Sequence, residues 1–169
     1  LVIESGSLKH TKPTLGYRIS VPDRLRICKQ EMRKMKLKPG PYMKNLVEGK
    51  DVTVDGRKIS AKKITKPVEG RTITIIMDSM FCDEMVKLAS GADVVVCEAT
   101  YLSDLEEKAK KYRHMTAEQA GMVAKKGKVG RLFLTHFSAR YKDGKVLEAE
   151  AKKTFSKSRA AEDLLRVDV

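Results

Sequence analysis

The chain of 169 residues lacks any long run of apolar residues. A helix needs about 18 or more consecutive, mostly apolar residues to cross a bilayer, and no segment approaches that length. No charged and then apolar leader of the secretory type opens the chain. We therefore expect no membrane partner.

Cysteine is scarce, with Cys28, Cys82 and Cys97 as its three examples. An odd number of cysteines without paired spacing predicts neither a disulfide framework nor a cysteine metal site. Free thiols of this kind are typical of a reducing compartment. We expect reduced cysteines in a cytoplasmic protein.

Negative charge is also in short supply. The 35 Lys and Arg residues outnumber the 22 Asp and Glu residues and give a net charge of +13. Such a charge favours a polyanionic partner, nucleic acid before membrane, but does not predict a fold. With 41% hydrophobic residues, the chain can bury one substantial core, so we expect one domain with an appendage.

Much of the excess charge lies between Pro22 and Glu69, where 14 Lys and Arg face 6 Asp and Glu, a net +8. Residues 24–38 resemble a basic helix with a thin apolar stripe, and Pro39-Gly-Pro41 ends it. Val52–Ile59 carries the Asp-Gly signature of a β-hairpin. An apolar stripe this thin is too small to form a hydrophobic core of its own, so we expect none in this segment. We interpret residues 22–69 as a basic arm projecting from a domain formed by 1–21 and 70–169; a merely solvated charged face is the alternative.

Aromatic residues are nearly absent from this arm, where Tyr42 is the single example. The arm thus offers cations for phosphates and almost no surface on which bases could stack. We expect it to bind nucleic acid by shape and charge, with strong salt dependence.

From Gly70 onward, strand-like runs alternate with helical patterns. We expect strands at 72–77, 93–97, 131–135 and 164–167, after earlier ones at 1–8 and 17–21. We expect helices at about 82–89, from 103, from the capping box at 116–119 to Gly127, and at 145–155. This alternation predicts an α/β fold with a parallel sheet.

A polar side chain directly follows three of these strands. Asp78 follows residues 72–77, Glu98 follows 93–97 and His136 follows 131–135. In an open parallel sheet, ligands bind beyond the carboxyl ends of the strands, so we expect the three side chains at one rim. An aspartate, a glutamate and a histidine together suggest hydrolysis at a metal.

The chain has only three histidines, all in loop-like settings. The imidazole of His136 suits zinc, and a carboxylate such as Asp78 can bridge two cations. With His10 this makes three ligands, so the site is either incomplete in this chain or mononuclear. Glu98 and His114 form a second pair, because a histidine oriented by a carboxylate is the usual general acid. The simpler interpretations are that His114 is an ordinary surface histidine and that Glu98 is a carboxylate that forms a salt bridge.

Five motifs occur here in the order seen in the tRNase Z family, the tRNA 3′-processing endoribonucleases of the metallo-β-lactamase superfamily. They are His10-Thr-Lys-Pro-Thr-Leu-Gly-Tyr-Arg18, Gly40-Pro41, Cys97-Glu-Ala-Thr100, His114-Met-Thr116 and His136-Phe-Ser-Ala-Arg-Tyr141. The combination is far more specific than any one motif, and it covers nearly the whole chain.

The resemblance implies part of a metallo-β-lactamase αββα sandwich with two zinc ions in the complete enzyme. His10 would bind one ion, His136 the other, and Asp78 would bridge them, while His114 and Glu98 would be catalytic. The basic segment resembles the family's flexible arm. RNA-binding residues would be Ser138, Arg140, Arg33, Lys34, Lys36, Lys38, Gly40 and Pro41.

The implied function is removal of 3′ trailers from precursor tRNA by attack of a metal-activated hydroxide on a phosphodiester, in a homodimer. The family's His-x-His-x-Asp-His motif, which supplies further zinc ligands, is absent. Met77-Asp-Ser79, Cys97 and Met115 also depart from the family's residues, but no proposed ligand or proton donor is lost. We therefore interpret the chain as the C-terminal half of a tRNase Z-like protein, inert alone until an N-terminal segment supplies the missing ligands.

Two alternatives differ in the role of the arm. Another phosphodiesterase or hydrolase of the metallo-β-lactamase fold would share the sheet and the metals but would not need a basic arm. A non-catalytic RNA-binding fragment would keep the arm after losing the metal site. The presence of His10, Asp78, His114 and His136 argues against the second alternative.

Overall fold

All residues, 1–169, are described by the computed structural model, which contains ten strands and seven α-helices. The strands are β1 (Val2–Leu8), β2 (Thr14–Val21), β3 (Arg24–Ile27), β4 (Val52–Val54), β5 (Arg57–Ile59), β6 (Thr65–Val68), β7 (Arg71–Ile76), β8 (Val94–Glu98), β9 (Arg131–Thr135) and β10 (Ser158–Ala160). The helices are α1 (Lys29–Lys34), α2 (Met43–Val47), α3 (Ala61–Ile64), α4 (Asp83–Ala89), α5 (Glu106–Tyr112), α6 (Ala117–Lys126) and α7 (Lys145–Thr154). A 3₁₀ turn at Ser103–Leu105 precedes α5.

The chain forms two compact units. One comprises Leu1–Val21 together with Arg71–Val169, and the other comprises Pro22–Gly70. The second unit is inserted between two paired strands of the first, because Val21 of β2 lies opposite Arg71 of β7.

The first unit is built on a six-stranded sheet in the order β1-β2-β7-β8-β9-β10. The four strands from β7 to β10 run parallel, which confirms the parallel arrangement predicted for this part of the chain. β1 and β2 are instead antiparallel to each other, and β2 is antiparallel to β7. Only five residues join β1 to β2, too few for the crossover that a parallel pair requires.

One face of this sheet carries the main core. Ile76, Val95, Cys97, Leu132 and Leu134 pack there with apolar side chains of α4, α6 and α7. The capping box predicted for α6 is present, since Thr116 and Gln119 bond each other's backbone N–H groups.

The opposite face of the sheet is open along β1 and β2. Because neighbouring side chains of a strand point to opposite faces, Leu15 and Tyr17 point away from buried Gly16. Leu15 is 47% exposed and Tyr17 is 41% exposed. This part of the sheet surface is therefore apolar without being buried.

The predicted last strand at residues 164–167 is wrong. The last strand is β10, where buried Ser158 and Ala160 continue the pairing with β9. Leu164 has a φ of 64° and is 97% exposed. A left-handed leucine breaks an extended chain, so the apolar pair Leu164-Leu165 misled the sequence interpretation.

The second unit also corrects two expectations. Residues 24–38 do not form one helix, because Arg24–Ile27 is strand β3 paired with β6, and α1 spans only Lys29–Lys34. Leu25 and Ile27 alternate with Arg24 and Arg26, which is the period of a strand.

The unit has a small core of its own, contrary to the prediction from the thin apolar stripe. Its buried members are Met32, Leu46, Ile59, Ala61 and Ile64. They come from α1, α2, β5 and α3, so no single helix reveals the cluster. The predicted β-hairpin is confirmed as β4–β5, with Asp55 and Gly56 at φ values of 49° and 74° in its turn.

Candidate metal centre

Asp78 and His136 stand just beyond the carboxyl ends of β7 and β9, and Glu98 is the last residue of β8. Asp78 has a φ of 47° and His136 a φ of 57°. Aspartate and histidine are among the residues that enter this left-handed region most readily. The three side chains come to the same rim, as expected, because Asp78 contacts His136 and Glu98 accepts from the backbone N–H of Ser79.

Three side chains form a compact group of potential metal ligands. One ligand atom each from Asp78, His114 and His136 lies within 4.8 Å of the others. The closest contact is the 3.1 Å between His136 Nε2 and Asp78 Oδ1. The imidazole of His136 is 39% exposed and the carboxylate of Asp78 is 50% exposed, so solutes can reach the group.

His114 is fixed at the junction between α5 and α6. Its backbone N–H donates to the carbonyl oxygen of Ala109 at 2.8 Å, and Arg113 before it has a φ of 59°. The side chain lies 3.1 Å from Glu98 Oε2 through Nδ1. The opposite side of the ring is thereby left to face the group of ligands.

Glu98 is fully buried and is surrounded by hydrogen-bond donors. Its two oxygens accept from the backbone N–H groups of Ser79 and Met115 and from the hydroxyl of Thr100 at 2.7 Å. His114 Nδ1 is the fourth partner. Four donors on two oxygens match the capacity of an ionised carboxylate, so His114 donates through Nδ1.

His10 lies beside this group without being part of it. Its ring centroid is 5.1 Å from that of His114, and its Nδ1 is 3.1 Å from the carbonyl oxygen of Arg113. The guanidinium of Arg113 donates back to the carbonyl oxygen of His10 at 2.6 Å. The structure thus groups His114 with Asp78 and His136, whereas the resemblance had paired His10 with them as ligands.

Ser138 and Arg140 occupy the loop after His136. Arg140 Nε donates to Ser138 Oγ at 2.9 Å, and the guanidinium lies 5.0 Å from the ring centre of Tyr101. The backbone N–H of Ser138 donates to the carbonyl oxygen of Thr100 at 3.1 Å. These contacts fix a cation and a hydroxyl within the loop that follows His136.

The other RNA-binding candidates lie in the second unit. Arg33 and Lys34 end α1, and the rest follow in the loop before α2. Lys34 is paired with Glu31 at 2.7 Å. The exposed cations of this set are Arg33, Lys34, Lys36 and Lys38, whereas Gly40 and Pro41 shape the loop.

Two residues at the site were not predicted from the sequence. Thr100 contacts both Glu98 and His136, and Arg113 exchanges hydrogen bonds with His10. Thr100 could have been found from its place in Cys97-Glu-Ala-Thr100, two residues after a predicted catalytic carboxylate. The contact between Arg113 and His10, 103 residues apart, has no local signal.

The donor set fits a zinc ion. A carboxylate is an acceptor only, and a neutral imidazole has one nitrogen with a free lone pair. If that nitrogen is His136 Nε2, its 3.1 Å contact with Asp78 Oδ1 is favourable only with a cation shared between the two atoms. One carboxylate and two imidazoles are ligands that zinc prefers. Asp78 and His136 could therefore hold it, and His114 is close enough to serve as a third ligand or as a proton donor.

Cys97 lies directly before Glu98 and is buried. Burial, and then the charge of Glu98, raises the pKa of the Cys97 thiol well above its ordinary value. Because the thiolate is the reactive form, we expect Cys97 to resist iodoacetamide at about pH 8, while half-buried Cys28 reacts first. Mass spectrometry of the alkylated native chain checks this, and the unfolded chain is the control in which both react. Early labelling of Cys97 would contradict its burial.

The sequence is similar to curated ribonuclease Z proteins. It is 38% identical to ribonuclease Z of Chlamydia abortus over 161 residues, which are 95% of this chain and 52% of that protein. It is 39% identical to ribonuclease Z of Chlamydia caviae, again over 95% of this chain and 52% of that protein. It is 36% identical to ribonuclease Z of Nocardia farcinica over 98% of this chain and 54% of that protein. The chain thus spans about half the length of the curated relatives it matches.

Solved structures with the same fold include a metallo-β-lactamase fold protein, YhfI of Bacillus subtilis, at a TM-score of 0.59 and 20% identity. The match covers 94% of this chain and 45% of that protein. The human short-form tRNase Z matches at a TM-score of 0.53 and 23% identity, over 96% of this chain and 41% of the human one. These identities support the fold alone.

No family model matches the sequence. None of the helices is long and apolar enough to cross a membrane. The fold is the predicted mixed α/β arrangement of the metallo-β-lactamase type, with the basic segment as an inserted unit. The relationship predicted from the motifs is thereby confirmed: the chain is a relative of ribonuclease Z and corresponds to about half of such a protein.

Proposed function

We propose that the chain forms part of a zinc-dependent endoribonuclease that removes 3′ trailers from precursor tRNA. The observation that carries this proposal is the group of Asp78, His114 and His136 within 4.8 Å, in a chain similar to ribonuclease Z over 95% of its length. The longer protein would supply the remaining ligands for about two zinc ions, as two-metal sites require.

Zinc bound at this rim would supply the positive charge that polarises a phosphoryl oxygen. The chain's own residues have separate tasks. Asp78 and His136 would hold the cation, with Asp78 proposed to serve both ions and His10 proposed as a ligand of the second. Glu98, 3.1 Å from His114 Nδ1, is proposed to orient His114, which would give a proton to the leaving 3′-oxygen of ribose. Ser138 and Arg140 are proposed to contact the phosphate.

The second unit is proposed to bind the RNA through its cations. It carries a net charge of +8 between Pro22 and Glu69. Its exposed cations Arg33, Lys36 and Lys38 can bind phosphates without base readout. An unrelated phosphodiesterase of the same fold would have no need of such a unit, so the unit favours RNA as the substrate. The complete enzyme is proposed to be a cytoplasmic homodimer.

Removing the second unit is expected to weaken binding of precursor tRNA steeply and to spare turnover of a nitrophenyl phosphodiester. Residues 22–70 can be replaced by an Asn-Gly turn, because Val21 and Arg71 are partners across β2 and β7. Binding and turnover should be measured in a ribonuclease Z-length protein that contains this chain. Equal losses for both substrates would mean that the unit is needed for folding of the site.

A charge series separates the cations from the fold of the unit. Changing Arg33, Lys36 and Lys38 to glutamine should reduce the salt slope of RNA binding by about 0.7–0.9 for each lost phosphate contact. The same change at Lys125, Lys128 and Lys153, which are exposed in the first unit, is the matched control and should have little effect. An equal loss in both sets would show only a response to net charge.

A further inference from the structure

Thr100 connects the two parts of the candidate site. Its side chain is buried, with 6% exposure, and its hydroxyl lies 2.7 Å from Glu98 Oε2 and 3.1 Å from His136 Nδ1. Glu98 also contacts His114 Nδ1 at 3.1 Å. One buried carboxylate therefore contacts one imidazole directly and the other through a single hydroxyl.

The direction of these hydrogen bonds follows from counting protons. A threonine hydroxyl has one proton to donate and lone pairs with which to accept. Its three neighbours are Glu98 Oε2 at 2.7 Å and the carbonyl oxygen and Nδ1 of His136, both at 3.1 Å. Glu98 is the nearest, and bonds to an ionised acceptor are the shorter and stronger ones. The hydroxyl proton of Thr100 thus points to Glu98.

The bond between Thr100 and His136 must then run the other way. With its proton committed to Glu98, the oxygen of Thr100 can only accept from Nδ1–H of His136. In a neutral imidazole the other nitrogen, Nε2, then carries a lone pair. This is the atom that lies 3.1 Å from Asp78 Oδ1, where a cation would be shared.

We propose that Thr100 is a positioning residue that transmits the hydrogen-bond direction set by Glu98 to His136, so that Nε2 faces the metal site without a proton. Glu98 then sets the tautomers of both imidazoles, that of His114 directly and that of His136 through Thr100. Partners of this kind orient a metal-binding histidine and raise its basicity. This inference rests on the zinc binding of the proposed function, but it does not depend on cleavage of RNA.

The first measurement needs no variant. The imidazole nitrogens of a zinc-loaded ribonuclease Z-length protein that contains this chain can be observed by ¹⁵N nuclear magnetic resonance. We expect both His114 and His136 to carry a proton on Nδ1, and Nε2 of His136 to be its zinc-bound nitrogen. Zinc bound through Nδ1 of His136 would overturn the inference whatever the variants show.

The second measurement removes the hydroxyl and keeps the shape. In Thr100→Val, His136 Nδ1–H loses its acceptor, so the ring is less well oriented and zinc affinity falls by about 10–100-fold. Thr100→Ser retains a hydroxyl and should restore the affinity. The tautomer of His114 is the internal control and should be unchanged in each variant, because its bond to Glu98 is direct.

Two results would contradict the role of the hydroxyl. One is a Thr100→Val protein that keeps its zinc affinity. The other is a Thr100→Ser chain that is as impaired as Thr100→Val, since that points to packing. If the valine variant does not fold, as judged by circular dichroism, the spectrum of the unchanged chain and the serine variant still decide. A protein with both expected tautomers that cleaves no RNA would contradict the proposed function and leave this inference standing.

Discussion

Replacing Asp78 by alanine is expected to remove more zinc than replacing either His10 or His136. A bridging carboxylate serves two ions, whereas each histidine serves one, so its loss weakens both. The fall in affinity should exceed the about 10–100-fold typical of changes in residues that only orient a ligand. Zinc content after dialysis and competition with a chelator measure the effect in a ribonuclease Z-length protein that contains this chain.

Asp104→Ala is the matched control for this experiment. Asp104 is an exposed carboxylate in the 3₁₀ turn before α5 and should retain the metal. Asp78→Asn tests charge separately from backbone shape, because asparagine also tolerates the left-handed region. Full zinc occupancy in Asp78→Ala would rule out the assignment of Asp78 as a ligand.

The second large effect is expected at His114. His114→Ala should lower the rate of RNA cleavage by about 10²–10⁴-fold, the usual contribution of a positioned proton donor. The 3′-oxygen of ribose is a poor leaving group unless it is protonated. A nitrophenolate needs no proton, so a nitrophenyl phosphodiester should lose much less. Single-turnover rates on the two substrates give the comparison.

Zinc content and RNA affinity of the His114→Ala protein are the controls and should stay near their original values. The position of His114 within 4.8 Å of Asp78 and His136 makes this control decisive. If the variant loses zinc, His114 is a ligand and not the acid. If both substrates slow equally, its role is to bind or orient the phosphate.

The sequence predicted most of the first unit because its signals are local. Apolar runs of strand length, the capping box at Thr116 and Gly127 at the end of α6 each act within a few residues. Parallel order then follows from the alternation of strands and helices. The same reasoning brought Asp78, Glu98 and His136 to one rim.

The failures have a different physical origin. Arg24–Ile27 becomes a strand because it finds β6 about 40 residues later, and the core of the second unit draws on four separate elements. No local sequence pattern indicates which distant segments will pair or pack with each other. At the site, the distances among His10, His114 and His136 depend on loop conformations such as the left-handed Arg113, which packing determines. Thr100 was missed for a related reason, since its role exists only once β8 and the loop after β9 meet.

The left-handed backbone at Asp78 and His136 lowers the stability of the fold at the two positions that carry proposed metal ligands. A left-handed conformation costs an ordinary L-residue roughly 1–2 kcal/mol, and glycine would adopt it without strain. After β7 and β9, which flank β8 in the sheet, the chain thus carries two side chains on a backbone conformation that glycine would adopt more readily. Glycine at either position would relieve this strain but would also remove a proposed metal ligand. A substitution that eases the backbone at these strand ends is therefore expected to abolish part of the metal site.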